Sequence, residues 1–104
     1  MALAPKQEEK QMKKLRIFYL EHCPYCRKAR EALDELKAEN AEYENAQVEW
    51  IEETRSPEIA DGYDYYRVPS IFCDDKKLYE CSPADDYVKI KAQVEEALKA
   101  SLKE

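Results

Sequence analysis

The sequence predicts an α/β fold with a four-stranded mixed sheet and helices on both of its faces. A nearly continuous apolar segment at residues 15–20 is followed by a helical pattern and then a second strand pattern, which together predict a βαβ unit. Two short strand patterns flank a polar turn at residues 74–76 and predict a hairpin. Parallel pairing in the first half of the chain is thus combined with antiparallel pairing in the second.

The βαβ unit occupies the first half of the chain. Residues 15–20 predict a strand that is covered on both faces, in the middle of the sheet. A helix is predicted from Pro24, which suits a first helical turn, to about Asn40. Residues 47–52 alternate enough to predict an edge strand, parallel to the first and reached by a right-handed crossover. The apolar positions of the helix are Ala29, Ala32, Leu33 and Leu36.

The second half begins with a short helix and ends with a long one. Residues 56–58 (Ser-Pro-Glu) predict a helix start with a capping hydroxyl and a proline at the first helical position, and Gly62 ends this helix. Residues 70–73 and 77–80 predict the hairpin, and residues 82–85 resemble a capping box for the last helix. The apolar stripe of that helix is Tyr87, Ile90, Val94, Leu98 and Leu102.

Length and charge limit the class of protein. The 104 residues fit one domain, which we expect to cover residues 15–104 after a polar extension at residues 1–14. The net charge of −6 disfavours phosphate backbones, so no nucleic-acid partner is expected. No segment approaches the roughly 18 apolar residues of a membrane span, and the N-terminus lacks the apolar core of a signal peptide. We therefore expect a cytoplasmic monomer without membrane contact.

The cysteines are the candidate reactive groups. In a reducing compartment they are expected to be thiols, which matter through reactivity or metal binding. Cys23 lies between the first strand and its helix, where free N–H groups and the helix macrodipole favour a thiolate. Arg27 and Lys28 add positive charge in the first helical turn. The pattern therefore predicts Cys23 as a nucleophile. The four cysteines are Cys23, Cys26, Cys73 and Cys81.

The spacing of the first two cysteines predicts the partner of the nucleophile. Cys26 follows Cys23 by almost one helical turn, close enough to attack a mixed disulfide at Cys23, which makes Cys26 the resolving thiol. The alternatives are a zinc half-site or two inert thiols. A metal or cluster site of four cysteines would need Cys73 and Cys81, but the seven residues between them do not match the spacing of a metal knuckle. We expect no bound metal.

Two motifs give the chain a family resemblance. Residues 23–26 (Cys-Pro-Tyr-Cys) and 67–72 (Arg-Val-Pro-Ser-Ile-Phe) resemble the dithiol glutaredoxins, a branch of the thioredoxin-fold superfamily. The resemblance covers nearly all of the chain after Lys14. It implies the thioredoxin fold and a thiol-disulfide oxidoreductase that acts on disulfide-containing proteins or glutathione mixed disulfides. It also implies glutathione as a co-substrate and no bound cofactor.

The resemblance further implies the substrate-binding residues. Pro69 is expected to be cis and to lie against the Cys23 sulfur, and the Val68 backbone is expected to pair with the cysteine portion of a thiol substrate. Tyr25 of the first motif is assigned to the same binding site. Arg67 stands where glutaredoxins usually have threonine, and its cation is expected to hold a substrate carboxylate.

A second departure from the family lies before the last helix. Tyr79 and Glu80 replace the usual Gly-Gly pair, at a place where the backbone approaches glutathione closely. The residues that hold the amino end of glutathione have only loose counterparts here, Ser82, Asp85 and Asp86. The substitution is expected to block glutathione or reshape its groove. One alternative function is therefore a dedicated reductant of one protein partner, served by a reductase instead of glutathione. The other is a thioredoxin-fold protein whose cysteines bind a metal or a cluster.

Two further features have two interpretations each. His22 precedes the nucleophile and either stabilises the thiolate and relays a proton or is a solvated loop histidine. Tyr63, Tyr65 and Tyr66 either line the substrate groove or cap an edge of the core.

Overall fold

The computed structural model describes residues 13–102. The order of helices and strands is as predicted, and the predicted extension lies outside the described residues up to residue 12. No helix among residues 13–102 is long and apolar enough to cross a membrane. The elements are β1 (Leu15–Tyr19), α1 (Pro24–Glu39), a 3-10 helix (Ala41–Asn45), β2 (Val48–Glu52), α2 (Pro57–Ala60), β3 (Ser70–Cys73), β4 (Lys76–Glu80) and α3 (Tyr87–Leu102).

The four strands form one mixed sheet in the order β2-β1-β3-β4. β1 pairs in parallel with the edge strand β2, and Ile17 lies opposite Trp50. On its other side β1 pairs antiparallel with β3, and Ile17 lies opposite Ile71. β3 and β4 form the predicted hairpin. The predicted topology is confirmed, with β1 in the interior of the sheet.

Alternate residues of β1 pack on opposite faces of the sheet. Leu15 and Ile17 join the large core that α1 and α3 cover, whereas Phe18 joins a smaller core that α2 and the segment after it cover. Helices therefore lie on both faces, which confirms the predicted fold class. The helical residues of the large core are Ala29, Ala32, Leu33 and Leu36 of α1 and Ile90, Val94, Ala97 and Leu98 of α3.

The start of α2 differs from the prediction. The side chain of Ser56 makes no capping hydrogen bond. Its backbone carbonyl instead accepts the N–H groups of Ile59 and Ala60, at 3.0 and 3.1 Å, and Pro57 has no N–H to offer. The Ile59 N–H, one of the donors that a capping hydroxyl would take, is therefore already bonded.

The start of α3 also differs from the prediction. The predicted bond of the capping box forms, since the Ser82 N–H donates to the Asp85 carboxylate at 3.0 Å. These residues nevertheless make a turn, and the helix begins only at Tyr87. Asp86 caps it, because its carboxylate accepts the Lys89 N–H at 2.9 Å. The helix starts one turn later than the pattern indicates.

Candidate active site

Cys23 occupies the N-cap of α1, as the sequence predicts. Its backbone is extended, and its carbonyl accepts the Arg27 N–H at 3.0 Å. The sulfur accepts the N–H of Cys26 at 3.4 Å, so it takes the position that a serine or aspartate oxygen takes at other helix starts. Cys23 is half-buried, and its sulfur lies at the positive end of the helix.

Cys26 lies in the first turn of α1 and is only 4% exposed. Burial raises the pKa of its thiol, and the neighbouring sulfur of Cys23 acts in the same direction. Cys26 therefore keeps its proton at neutral pH. The two cysteines are adjacent but differ in access to solvent, which is the arrangement that one attacking and one resolving thiol require.

A buried carboxylate holds the loop that precedes Cys23. Glu52 at the end of β2 is 8% exposed and accepts the backbone N–H of Glu21 at 3.2 Å. It also accepts the hydroxyl and N–H of Thr54 and the N–H of Arg55. The Thr54 hydroxyl, followed by these N–H groups, lowers the pKa of Glu52 to about 2 despite its burial. Sequence reasoning missed this residue, because a glutamate at the end of a strand carries no local signal of such bonds.

A hollow of about 310 Å³ contains both cysteines of the motif. His22 lies at its edge, exposed and in the left-handed region with a φ of 65°. Arg27 lines the same hollow, while Lys28 turns over the ring of Tyr25 at 5.5 Å. Arg30, which was not predicted as a site residue, is the second arginine that lines this hollow. The lining residues are Tyr19, Leu20, Glu21, His22, Cys23, Cys26, Arg27 and Arg30.

A second hollow of about 270 Å³, here called the groove, unites most of the predicted substrate-binding residues. Tyr25 lies on one side, where its hydroxyl donates to the carbonyl of Pro83 at 2.8 Å. Arg67 and Val68 lie on the other side, and Arg67 is exposed. The lining residues are Tyr25, Tyr66, Arg67, Val68, Cys81, Ser82 and Pro83.

Pro69, unlike the other predicted substrate-binding residues, does not line the groove. The Val68-Pro69 peptide bond is cis, which confirms that expectation. Pro69 is fully buried, and its carbonyl accepts the N–H of Cys81 at 3.0 Å. It is not among the residues that line the groove or the hollow of the two cysteines. Its contact with the Cys23 sulfur remains a prediction.

Tyr79 and Glu80, which replace the family's glycines, do not fill the groove. Tyr79 is buried. One carboxylate oxygen of Glu80 accepts the N–H groups of Tyr66 and Arg67, each at 2.7 Å. The other accepts the ammonium of Lys77, also at 2.7 Å. Glu80 thus holds one wall of the groove. Sequence reasoning did not foresee these bonds.

The loose counterparts of the glutathione-binding residues are engaged within the protein. The Asp85 carboxylate accepts the hydroxyl of Tyr79 at 2.5 Å as well as the Ser82 N–H. The Ser82 hydroxyl accepts the N–H of Ala84 at 3.3 Å, and Asp86 caps α3. These side chains order the turn between β4 and α3.

The tyrosine cluster divides between its two predicted roles. Tyr63 and Tyr65 lie 4.8 and 4.9 Å from the ring of Phe18, measured between centroids, and cap the smaller core. Tyr66 is 90% exposed and lines the groove. A larger hollow of about 460 Å³ lies beside the same tyrosines, but it contains neither a cysteine of the motif nor any of the predicted substrate-binding residues, so we assign it no part in the chemistry.

The other two cysteines are buried. Cys73 lies in β3, and Cys81 is one of the residues that line the groove. Burial raises the pKa of both thiols. Within residues 13–102, no three side chains of cysteine, histidine, aspartate or glutamate converge to form a metal site.

Solved structures with the same fold were found by comparison. A mutant thioredoxin from Halobacterium salinarum is 19% identical, with a TM-score of 0.55, and the match covers 94% of this chain and 85% of that one. A malarial protein is 12% identical, with a TM-score of 0.57, over 85% of this chain and 99% of that one. The first two thioredoxin domains of Saccharomyces cerevisiae Eps1p are 15% identical, with a TM-score of 0.53, over 92% of this chain and 38% of that one. These similarities show the thioredoxin fold.

The sequence comparison identifies the branch of that fold. No curated protein matches the chain. The family model described as Glutaredoxin matches residues 12–78, more than half of the 104 residues. The matched segment contains both cysteines at the start of α1 and the cis Val68-Pro69 bond. Sequence match, fold and paired thiols agree, and the chain belongs to the glutaredoxin family, whose chemistry is thiol-disulfide exchange.

Proposed function

We propose that this protein reduces disulfides through two thiols. The Cys23 thiolate attacks one sulfur of a substrate disulfide, forms a mixed disulfide and releases the first substrate thiol. Cys26 then loses its proton and attacks the Cys23 sulfur, which forms a Cys23–Cys26 disulfide and releases the second thiol. Two electrons pass from the protein to the substrate.

The position of Cys23 at the N-cap of α1 is the observation that carries this proposal. The Cys26 N–H already donates to the Cys23 sulfur, and an anion at this place is stabilised by the positive end of the helix. Arg27 adds a cation beside the same hollow. Among the four cysteines, only Cys23 is more than slightly exposed, so it is the sulfur that a substrate reaches.

The burial of Cys26 supports its assignment as the resolving thiol. Because burial raises its pKa, Cys26 is protonated while the substrate disulfide approaches and does not compete for it. After the mixed disulfide forms, the reaction at Cys23 is intramolecular, and proximity replaces a high thiolate fraction. The departing substrate sulfur takes up a proton as the Cys26 thiol gives one up.

Substitution of single cysteines tests the proposal. Cys23→Ser is expected to abolish the reduction of insulin disulfides, because no attacking sulfur remains. Cys26→Ser is expected to accumulate a mixed disulfide at Cys23, visible as an added mass in the intact protein. Cys73→Ala is the matched control, since it removes a thiol that is buried in β3 and lines neither hollow, and it is expected to keep the activity. Activity that survives Cys23→Ser would refute the mechanism.

The electron donor is a separate part of the proposal. We propose glutathione as the donor, two molecules of which reduce the Cys23–Cys26 disulfide and leave as glutathione disulfide. Turnover in an assay coupled to glutathione reductase is the expected result. Turnover only in an assay coupled to thioredoxin reductase would contradict glutathione and support the reductase-served alternative, while leaving the roles of the two cysteines intact.

A further inference from the structure

We propose that Glu80 is a positioning residue for substrates that bind as extended peptides, because its carboxylate fixes the groove wall formed by Tyr66, Arg67 and Val68. The inference rests on the proposed function, since it concerns how a disulfide-containing protein is held beside Cys23. It assigns a role to a residue that stands where glutaredoxins usually have glycine.

The groove wall is packed only in part, because Val68 packs against the smaller core but its two neighbours in the wall do not. Residues 64–69 belong to no helix or strand. Tyr66 is 90% exposed, and Arg67 is exposed as well, so neither side chain anchors the segment in the core. A segment of this kind normally opens locally at low free-energy cost unless specific hydrogen bonds restrain it.

Glu80 supplies such bonds from the neighbouring strand. One oxygen of its carboxylate accepts the N–H groups of Tyr66 and Arg67 at 2.7 Å each. The second oxygen accepts the Lys77 ammonium at 2.7 Å, and that ammonium also donates to the carbonyl of Asp64 at 3.1 Å. The pair formed by Glu80 and Lys77 therefore ties two residues of the wall, and Asp64 just before it, to β4.

The charge on Glu80 makes these bonds strong. Its side chain is 20% exposed, and this burial opposes ionisation, but the bonds from Lys77, Tyr66 and Arg67 outweigh it and lower the pKa of the carboxyl. Hydrogen bonds to an ionised acceptor are shorter and roughly twice as strong as neutral ones. The carboxylate is therefore suited to hold two adjacent N–H groups in one arrangement.

The far end of the wall is anchored to the same hairpin. Glu80 lies opposite Ser70 in the pairing of β3 and β4. The Ser70 hydroxyl donates to the carbonyl of Arg67 at 2.5 Å, and the N–H of Cys81 donates to the carbonyl of Pro69. Val68, which lines the groove, lies between these attachments and therefore belongs to a segment fixed at both ends.

This arrangement has different consequences for different substrates. A peptide that pairs with the Val68 backbone gains affinity only if that backbone is already in place, because ordering it on binding costs free energy. A small disulfide that meets only the Cys23 sulfur depends on the wall much less. Glu80 should therefore affect the choice between peptide and small substrates more than it affects the exchange reaction.

The test compares insulin with bis(2-hydroxyethyl) disulfide as substrates. In Glu80→Ala, the ratio of kcat/KM for insulin to kcat/KM for the small disulfide is expected to fall about tenfold, mostly through KM. Glu80→Gln is expected to fall between Glu80→Ala and the wild type, because the amide oxygen still accepts N–H groups but does not neutralise Lys77. The control is Glu49→Gln. Glu49 lies in β2, at the edge of the sheet opposite to β4, and its substitution removes an ion pair with Arg16 but should leave the ratio unchanged.

Amide hydrogen exchange provides a second measurement that requires no substrate. The amides of Tyr66 and Arg67 are expected to exchange slowly in the wild type and much faster in Glu80→Ala. An unchanged ratio in Glu80→Ala, or unchanged exchange at these two amides, would overturn the inference. If Glu80→Ala does not fold, Glu80→Gln and Lys77→Met are measured in its place under the same criteria. Wild-type protein that reduces neither disulfide would contradict the proposed function, whereas the exchange of the two amides would still test the hydrogen bonds of Glu80.

Discussion

At the scale of single residues, the chain shows how one residue type acquires different chemistry from its surroundings. Cys26, Cys73 and Cys81 are buried, and burial raises the pKa of each thiol. Cys23 is half-buried, and its sulfur accepts a backbone N–H at the start of α1. The fold therefore leaves Cys23 as the most accessible sulfur of the four, which is what the proposed mechanism requires.

Glu52 gives the stability of the fold a specific dependence on pH. Its pKa is about 2 in the folded protein, below the ordinary value of 4.5, first because of the Thr54 hydroxyl. A carboxyl with a lowered folded pKa stabilises the folded state above pH 4.5, and this contribution is lost as the pH falls towards about 2. Since Glu52 also holds the Glu21 N–H, the loop before Cys23 should loosen in the same range.

Urea unfolding at stepped pH between 5 and 2 measures this contribution. The midpoint of the wild type is expected to fall steadily, whereas the midpoint of Glu52→Gln should fall less because that carboxyl no longer titrates. Thr54→Val should give an intermediate slope, because it removes the bond that lowers the pKa most. Identical slopes for the three proteins would show that Glu52 does not provide the pH dependence.

At the scale of elements, β1 connects the two cores and the site. Its residue Phe18 is fully buried and contacts the rings of Tyr63, Tyr65 and Phe72. Tyr63 and Tyr65 precede the groove wall in sequence, and both pack against the smaller core together with Val68 of the wall. The smaller core therefore supports the wall. None of the three wall residues, Tyr66, Arg67 and Val68, belongs to the large core between the sheet, α1 and α3.

Substitutions in the two cores should therefore differ in their effect on the groove. Phe18→Ala and Leu98→Ala each empty a fully buried site, and we expect losses of about 3–5 and about 2–5 kcal/mol in the free energy of unfolding. Only Phe18→Ala should also weaken insulin reduction beyond its effect on the folded fraction, because it frees Tyr63 and Tyr65. Urea unfolding and insulin kinetics check this, and Phe18→Leu is the milder variant. Equal activity losses per folded molecule would contradict the distinction.

Local patterns predicted the helices and strands well but predicted their ends less well. Apolar periodicity depends on which face is buried, and it located the residues of α1 and α3 that fill the core. Caps depend on which backbone N–H groups are already bonded. Ser56 looked like a cap, but its own carbonyl takes the nearby donors, and Asp86 rather than Ser82 caps α3. These outcomes follow from the folded backbone and not from residue type.

The residues of the site also fall into those that the sequence predicted and those that it did not. Cys23 and Cys26 were predictable because three positions of sequence separate them and the helix start defines their geometry. The cis Val68-Pro69 bond was predicted from the family resemblance. Glu52 and Glu80 were not predicted, since Glu52 bonds to Glu21 31 positions away and Glu80 to Arg67 13 positions away. Such partners become evident only when the sheet brings distant segments together.

At the scale of the whole molecule, the two sides of the site are attached to parts of the sheet that differ in support. The loop before Cys23 follows β1, which has a strand on each side, and Glu52 ties it to β2. The groove wall is tied through Glu80 to β4, which is an edge strand with one neighbour. The loop before Cys23 should therefore be held more firmly than the groove wall, whose order depends mainly on the bonds of Glu80.

Native-state hydrogen exchange at low urea concentrations tests this difference in support. The hydrogen-bonded amides of β1 and β3 should exchange only through global unfolding, because each of these strands is paired on both sides. The bonded amides of β4, and those of Tyr66 and Arg67 that Glu80 holds, should exchange through local opening that depends little on urea. If the amides of β4 were instead among the last to exchange, the two sides of the site would share one stability.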